Sequence, residues 1–341
     1  MNNTLRLRVA LVGCGRIAQT HCGYLRQLPQ VELVGACDVN AASRESFTSR
    51  WQLPSFADVD ELLAAGQPHV VHVVTPPATH ARLAIQLLDA GMHVLVEKPM
   101  AMTSVEADEL LGLAKSKGRT LAVVSQRRFE DQHEAVKRVL DSGALGKLLL
   151  IEVSCPYYRD QAYYDSADWR GKIATDGGAI MNQGIHSVDL MLWFAGPART
   201  VQGKIATQTH RMEAEDLALA IVAFESGAFG TIMASTSIQP GFTPCLNLYG
   251  EKGTIKLEGA SIVHWTVPGV PKPDVGASPA SAAVRGHLLS SHVMHQRQIL
   301  DVLAAIEEQR PPRVSGDDGR RAVRLIEGLY LSSKNGGLVI L

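Results

Sequence analysis

The sequence lacks the features that would indicate a disulfide framework, a metal centre or a membrane span. Its five cysteines form no Cys-x-x-Cys pair and no metal-type spacing with histidine. We expect them to be buried thiols of a reducing compartment, and we predict no metal site. No apolar run reaches about eighteen residues, and no secretory apolar segment precedes the first predicted strand. A cytoplasmic protein without a membrane partner is therefore expected.

A strong charge of either sign is also missing. The chain has 33 Lys and Arg against 34 Asp and Glu, a net charge of −1, which gives no indication of a nucleic-acid partner. With 341 residues the chain is long enough for two domains.

A glycine turn follows the first predicted strand, Leu7 to Val12. The turn reads Gly13-Cys14-Gly15-Arg16-Ile17-Ala18. Gly13 permits a tight turn, Gly15 permits close approach of a pyrophosphate, and the small Ala18 keeps the next helix near the strand. The first N–H groups of that helix, at Arg16 and Ile17, would face the phosphates. The pattern predicts dinucleotide binding, although a tight turn without a ligand has the same local sequence.

An acidic residue, Asp38, follows the second predicted strand, twenty residues after Ala18. A carboxylate there accepts hydrogen bonds from the ribose hydroxyls of NAD and repels the extra phosphate of NADP. Arg44 lies a few residues further on and is suited to such a phosphate. NAD is the predicted cofactor, with NADP left open.

The order of predicted elements indicates two kinds of domain. Strands and helices alternate over 1–125, which predicts an α/β Rossmann domain with a parallel, doubly wound sheet. From 126 to 341 strands follow one another, which predicts an α+β domain with an antiparallel sheet. A regular helix is predicted over about 179–194, and a long surface loop over 267–283.

Lys98 directly follows a buried predicted strand and precedes Pro99. A cation at a cleft edge can donate to a substrate hydroxyl, and partial burial lowers its pKa towards the range of proton transfer. The alternative is a surface lysine paired with Glu97.

A second group of polar residues lies in the segment from Asp176 to Asp189. On an α-helix Asn182 and His186 share one face, and a histidine can remove a hydroxyl proton as hydride leaves the same carbon. Asp189 either polarises His186 or holds the helix to a neighbour. A purely structural His186 is the alternative. We interpret His287, His292 and His295, near the end of the chain, as helix-surface or domain-contact residues rather than ligands, with a metal cluster of the three as the alternative.

Together these residues resemble the Gfo/Idh/MocA family, the relatives of glucose–fructose oxidoreductase and inositol dehydrogenase. The resemblance covers essentially the whole chain. Its motifs are Gly13 to Ala18, Thr75-Pro76-Pro77 with His80, Glu97-Lys98-Pro99, Gln126 with Arg128, Trp169-Arg170, Gly177 to Asp189, Tyr249-Gly250 to Leu257, and the helix after Gly316.

The resemblance implies a Rossmann domain followed by a domain with a large, open, mostly antiparallel sheet that joins homodimers or homotetramers. It implies hydride transfer between NAD and a secondary alcohol of a sugar, cyclitol or related polyol. Lys98 and His186 would be the catalytic pair, with Asn182 beside them, and the Lys98–Pro99 bond would be cis. The implied cofactor-binding residues are Gly13, Gly15, Arg16, Ile17, Asp38, Thr75, Pro76, Pro77, His80, Glu97, Lys98, Gln126, Trp169 and Arg170. The implied substrate-binding residues are Lys98, Arg128, Tyr157, Tyr163, Asn182 and His186.

One position departs from the family pattern, because many members have Asp where this chain has Asn182. An amide stabilises a charged imidazole poorly, so proton removal would depend more on Lys98 or on a contact between Asp189 and His186. Members resembling sugar-nucleotide 3-dehydrogenases or glycoside dehydrogenases also carry Asn here. This favours a pyranose oxidised at its third carbon over free myo-inositol.

Aromatic residues between Tyr157 and Trp169 suit a sugar site, because their rings pack on the C–H faces of pyranoses. They would equally bury the edge between the two domains. A catalytically silent dinucleotide sensor and a reductase acting on a non-sugar carbonyl or imine are the alternative functions.

Overall fold

The computed structural model describes residues 6–275 and 288–341. The chain forms two compact units, and each is made of two stretches of sequence. The first contains residues 1–124 and 295–319, and the second contains residues 125–294 and 320–341. The prediction of a second domain over 126–341 left open that its late helices pack on the first domain, and residues 295–319 belong to the first unit. Of the predicted loop over 267–283, residues 276–283 lie outside the described residues, as does His287.

The first unit contains a six-stranded parallel sheet in the order β3-β2-β1-β4-β5-β6. This order reverses direction at β1, as in a doubly wound fold, and confirms the predicted Rossmann architecture. The strands are β1 Leu7–Val12, β2 Val31–Cys37, β3 Ser55–Phe56, β4 Val70–Val73, β5 His93–Val96 and β6 Leu121–Val123. The helices between them are α1 Arg16–Leu25, α2 Ala41–Trp51, α3 Val59–Gly66, α4 His80–Asp89 and α5 Ser104–Lys117.

Near its end the chain returns to complete the core of this unit. Helix α9, Leu288–Glu307, packs Ile299, Val302 and Leu303 into the same buried cluster as the residues of β1. The side-chain amide of Gln298 donates to the carbonyl of Val123 at 2.7 Å. The core of the first unit is therefore completed by residues that lie 175 positions beyond its last strand in the case of Gln298 and Val123.

The second unit contains an eight-stranded sheet in the order β13-β12-β11-β7-β10-β9-β8-β14. Neighbouring strands are antiparallel except β7 and β10, which confirms the predicted mostly antiparallel sheet. The strands are β7 Leu148–Pro156, β8 Ala198–Ala206, β9 Leu217–Phe224, β10 Phe229–Ser235, β11 Cys245–Gly250, β12 Thr254–Glu258, β13 Ser261–Thr266 and β14 Val339–Ile340. The helices are α6 Asp131–Asp141, α7 Gln161–Asp165, α8 Ile185–Ala195 and α10 Gly316–Asn335, whose first turn belongs to the first unit.

The helix predicted over 179–194 differs from the regular form. Residues Ala179–Gly184 form a π-helical segment, and the α-helix α8 begins only at Ile185. A π turn holds more residues than an α turn. Asn182 lies in this π segment and His186 lies in the first turn of α8, so their shared face stays a prediction. Among the described residues no helix is long and apolar enough to cross a bilayer.

Candidate active site

The backbone of the turn after β1 leaves room for a ligand to come close. Gly13 has φ +109°, and a Cβ there would lie 2.9 Å from the carbonyl oxygen of Val74, so only glycine fits. A Cβ on Gly15 would meet no atom within 4 Å, which leaves open space beside the backbone. Helix α1 begins here with no side-chain cap and no acidic residue in its first turn. Its first N–H groups can therefore bind a phosphate.

Asp38 lies directly after β2 and is held by backbone N–H groups. Its Oδ2 accepts from Cys14 at 2.8 Å and its Oδ1 accepts from Asn40 at 2.9 Å. Each carboxylate oxygen has a further lone pair for a ribose hydroxyl. Arg44 donates to the carbonyl oxygen of Asp38 at 2.6 Å, so a cation also stands beside this position.

His80 joins two of the predicted cofactor turns. Its Nδ1 lies 2.7 Å from the carbonyl oxygen of Pro99, and its Nε2 lies 2.8 Å from that of Thr75. Burial lowers the pKa of this imidazole. Because both ring nitrogens face backbone carbonyls, we assign His80 to holding the turn at Thr75-Pro76-Pro77 and the turn at Pro99, and no longer to direct cofactor contact.

Lys98 lies at the carboxyl end of β5 and is half-buried. The Lys98–Pro99 peptide is cis, as the resemblance implied. The backbone N–H of Lys98 donates to Oε2 of Glu97 at 3.2 Å. Lys98 thus shares one edge of the sheet with the glycine turn, because the carboxyl ends of parallel strands lie at the same edge.

Glu97 is buried within a group of histidines that the sequence analysis missed. Its Oε1 lies 3.2 Å from Nε2 of His21 and 4.0 Å from Nε2 of His295. His21 in turn contacts Nδ1 of His72 through its own Nδ1 at 3.0 Å. Both oxygens of Glu97 contact protein groups, and its contact with the cofactor stays a prediction. His21 and His72 carry no motif that sequence reading could use, since one lies mid-helix and the other mid-strand.

The ligand atoms of His21, Glu97 and His295 lie within 4.8 Å of one another, a separation at which they could hold a metal ion. The structure thus brings His295 towards two other ligand-type side chains, against our interpretation of it as an ordinary packing residue. His287 lies outside the described residues.

In the second unit, Asn182 lies in the π segment and His186 lies in the first turn of α8. The Asn182 amide donates to Asp176, and its Oδ1 accepts from Gln183 at 2.9 Å. Asp176 is buried and also accepts from the N–H of Gly171 at 2.8 Å. The side chain of Asn182 is therefore hydrogen-bonded to a buried carboxylate, a contact that the sequence did not predict.

Glu215 fixes the start of the π segment. Its Oε1 accepts from the N–H of Ile180 at 2.9 Å and from the hydroxyl of Tyr330 at 3.4 Å. A Cβ on Gly178 would collide with the Glu215 carboxylate, so glycine is required there. Burial raises the pKa of Glu215 to about 7.

Asp189 holds α8 to a neighbouring segment, the second of the two roles considered for it. Arg128 donates to its two oxygens at 2.8 and 2.6 Å, and Ser125 also donates to it. The Arg128 guanidinium lies over the ring of Trp193 and is almost fully buried. This ion pair gives Arg128 a structural role, and its contact with the substrate stays a prediction.

The aromatic loop is organised around Arg170. Its guanidinium carbon lies 4.2 Å from the ring centre of Tyr163 and 4.4 Å from that of Trp169. Tyr164 is buried, with its hydroxyl 2.7 Å from Thr236, so this ring serves packing. Burial raises the pKa of Tyr157 far above its usual value. Tyr163 and Trp169 are the half-buried rings of the loop whose faces are occupied by a guanidinium.

Gln126 supplies a test of whether a ligand fits. It lies in a short 3₁₀ helix, Gln126–Phe129, and its buried Oε1 has no hydrogen-bond partner. Leaving such an atom unpaired costs about 1–3 kcal/mol, which a donor on a bound ligand would offset. Within the first unit, the open space at Gly15 and the uncapped start of α1 fit the phosphates of a dinucleotide.

The doubly wound sheet and the glycine turn after β1 indicate the class of the protein, an oxidoreductase with an NAD-binding Rossmann domain. A family model described as an oxidoreductase family with an NAD-binding Rossmann fold matches residues 7–125, and one described as the GFO/IDH/MocA C-terminal domain matches residues 133–256. The chain belongs to the Gfo/Idh/MocA family, as its motifs indicated, and is an NAD(P)-dependent dehydrogenase.

Several relatives have named activities. The chain is similar to the D-glucoside 3-dehydrogenase of Escherichia coli, with 29% identity over 66% of this chain and 66% of that protein. It is similar to the myo-inositol 2-dehydrogenase of Thermotoga maritima, with 24% identity over 94% of each. Among solved structures it is similar to the WlbA dehydrogenase from Bordetella pertussis in complex with NADH and UDP-GlcNAcA. That similarity has a TM-score of 0.88 and 30% identity, and covers 98% of this chain and 99% of the other.

Proposed function

We propose that the protein transfers hydride between NAD and a secondary alcohol of a pyranose or sugar nucleotide, with Lys98 and His186 handling the hydroxyl proton. The main observation behind the proposal is the position of Lys98. It is a half-buried cation at the end of β5, on the sheet edge that also carries the glycine turn after β1.

In this proposal the residues of the first unit bind NAD, with Gly13, Gly15, Arg16 and Ile17 at the phosphates and Asp38 at a ribose. When bound, NAD supplies the acceptor for the hydride that leaves the alcohol carbon. Gln126 would accept from the cofactor amide. The remaining proposed cofactor contacts are Thr75, Pro76, Pro77, Trp169 and Arg170.

Lys98 and His186 would act on the substrate hydroxyl. As the C–H bond breaks with both electrons, the O–H proton passes to a base, and the carbon becomes a carbonyl. A neutral lysine or imidazole can accept that proton. Asn182, held by Asp176, would orient the substrate or the imidazole but cannot take up charge.

The substrate class follows from the relatives and the loop. A glucoside 3-dehydrogenase and a structure holding a uridine-linked amino sugar acid are both among the similar proteins. Tyr163 is a half-buried aromatic ring of this loop, and an aromatic ring can pack on the C–H face of a pyranose. We propose a glycoside or sugar nucleotide, oxidised at the third carbon of the ring.

The test is NADH production from NAD with UDP-GlcNAcA, methyl D-glucoside, myo-inositol and D-apiose. A sugar nucleotide or glucoside should react, and Lys98→Met and His186→Gln should each lower kcat by about 100-fold or more while leaving the Kd for NAD within about twofold. Lys117→Met, at an exposed lysine of the same unit, is the control. Unchanged kcat in Lys98→Met would refute the assignment. NAD binding with no turnover of any such alcohol would favour a sensor.

We further propose that the protein is a homodimer or homotetramer joined through the sheet of the second unit. Along β9 the side chains alternate, and Leu219 and Ile221 are exposed while Ala218, Ala220 and Val222 are buried. Phe229 pairs with Ala223 of β9, so it lies on the same exposed face. This open apolar face, defined by Leu219, Ile221 and Phe229, supports an interface between copies.

A further inference from the structure

Behind Lys98 the first unit contains a chain of buried titratable side chains. His72 contacts His21 at 3.0 Å through their Nδ1 atoms, His21 contacts Oε1 of Glu97 at 3.2 Å, and Oε2 of Glu97 accepts the backbone N–H of Lys98 at 3.2 Å. His21 lies on α1, His72 lies on β4, and Glu97 directly follows β5; each is at most 7% exposed. The contacts run in series and end at Lys98.

Burying the polar side chains of His72, His21 and Glu97 costs free energy. Burial raises the pKa of Glu97, but the hydrogen bond and charge of His21, with the charges of His295 and Lys98, outweigh burial and hold that pKa at about 2. Burial lowers the pKa of His72 well below its usual value, and its Nε2 has no hydrogen-bond partner. An unpaired buried nitrogen costs about 1–3 kcal/mol. Apolar residues of similar volume would be at least as stable, so the polar chain needs another explanation.

The geometry explains why these polar side chains are buried, because the backbone is held on both sides of Lys98. On one side Glu97, held by His21, accepts the Lys98 N–H. On the other side His80 contacts the carbonyl oxygen of Pro99 at 2.7 Å. Fixing both flanks fixes the direction in which the Lys98 side chain leaves the strand end. A misplacement of about 1 Å in a reacting group can cost 100-fold in rate.

We propose that His72, His21 and Glu97 form a hydrogen-bonded chain that positions Lys98 for catalysis. These are positioning residues, since they act through Lys98 and not on the substrate. The proposal rests on the proposed function in one respect, that Lys98 is the group to be positioned. A divalent cation held by His21, Glu97 and His295 is the competing explanation of the same cluster.

The kinetic test uses Glu97→Gln, which keeps the shape and an acceptor oxygen but removes the charge. With the sugar that the wild type oxidises, kcat should fall about 10- to 100-fold while the KM for sugar and the Kd for NAD stay within about twofold. Glu32→Gln, at an exposed carboxylate on β2, is the matched control and should change neither. The double variant His21→Gln with Glu97→Gln should lose no more than the worse single variant. A kcat within twofold of wild type in Glu97→Gln, or additive losses in the double variant, would overturn the proposal.

A second readout needs no substrate. In protein labelled with nitrogen-15 at histidine, the imidazole nitrogen shifts report which ring nitrogens carry protons. Glu97→Gln should change the shifts of both His21 and His72, although only His21 contacts Glu97. Unchanged nitrogen shifts of His72 would refute the hydrogen-bonded chain of side chains. One zinc ion per protein molecule, found by elemental analysis of the purified protein, would also refute it. If the shifts of both His21 and His72 change but the protein oxidises no sugar, the proposed function is refuted, while the hydrogen-bonded chain of His72, His21 and Glu97 is still supported.

Discussion

At the scale of single residues, Asp38 combines two tasks that are usually considered separately. It accepts N–H groups from the glycine turn and from Asn40, and it presents its charge where an adenosine ribose would lie in a Rossmann fold. The same carboxylate therefore shapes the turn and, in the proposed function, would select the cofactor.

Asp38→Asn tests the selection. The amide keeps one acceptor oxygen but loses the charge that repels a 2′-phosphate, and Arg44 remains beside it. We expect the ratio of NADP to NAD affinity to rise at least about tenfold, because a like-charge juxtaposition costs several kcal/mol. Titration calorimetry with both cofactors measures the ratio, and Glu45→Gln on the exposed side of α2 is the control. An unchanged ratio would show that Asp38 does not face the ribose.

A second residue-scale prediction concerns Arg128. Arg128→Met leaves Asp189 buried without its guanidinium, which should lower the free energy of unfolding by about 3–5 kcal/mol. Adding Asp189→Leu should restore a large part of that loss, because the buried charge is then gone. Urea denaturation measures both. Arg138→Met, an exposed arginine on α6, should be near neutral. If Arg128 bound substrate instead, KM would rise with stability unchanged.

At the scale of elements, the π segment shows what sequence patterns could and could not predict. Five of the six parallel strands were predictable because they are short apolar runs followed closely by glycine or polar residues, whereas the two-residue strand β3 was not predicted. The capping box of α5, Thr103 with Glu106, was predictable because both of its hydrogen bonds are local. The π segment was not, because Glu215, some thirty-five residues away, fixes its first N–H groups.

The same reasoning applies to the site. Gly13, Asp38 and Lys98 were found because they follow strands, where ligands bind in this fold. His21, His72 and the role of Asp176 were not found, because their importance comes from contacts made only in the folded chain. The structural role of Arg128 was hidden for the same reason, since its partner Asp189 lies sixty-one positions away.

Glu215 gives the π segment a dependence on pH. Its pKa is about 7 in the folded chain against an ordinary 4.5, so between these values the folded state binds more protons than the unfolded state. Stability therefore falls as pH rises through this range. The full effect is on the order of 3 kcal/mol.

Glu215→Gln keeps the acceptor for Ile180 and cannot ionise, so its stability should not show this fall. Urea denaturation at about pH 5 and about pH 8 measures the difference. The wild type should lose stability relative to the variant at the higher pH, and Glu225→Gln at an exposed site should behave as the wild type does. Parallel curves for the wild type and Glu215→Gln would show that Glu215 is ionised at both pH values.

At the scale of the whole molecule, the open apolar face of the second sheet predicts assembly. Ile221→Glu places a charge at its centre, and burying an unpaired charge in an interface costs several kcal/mol. The variant should therefore dissociate, with a lower molar mass by light scattering than the wild type at equal concentration. Val39→Glu, an exposed apolar residue of the first unit, is the control and should leave the mass unchanged. A monomeric wild type would contradict the proposed assembly.

The return of α9 to the first unit has a consequence for how the protein is made. Ile299, Val302 and Leu303 belong to the core of a domain whose sheet is complete at Val123. During synthesis the first unit therefore leaves the ribosome with part of its core uncovered, and it stays so until most of the second unit has followed. A fragment ending at residue 124 would keep that apolar surface permanently exposed. Any chimaera that exchanges the cofactor domain must carry residues 295–319 with it.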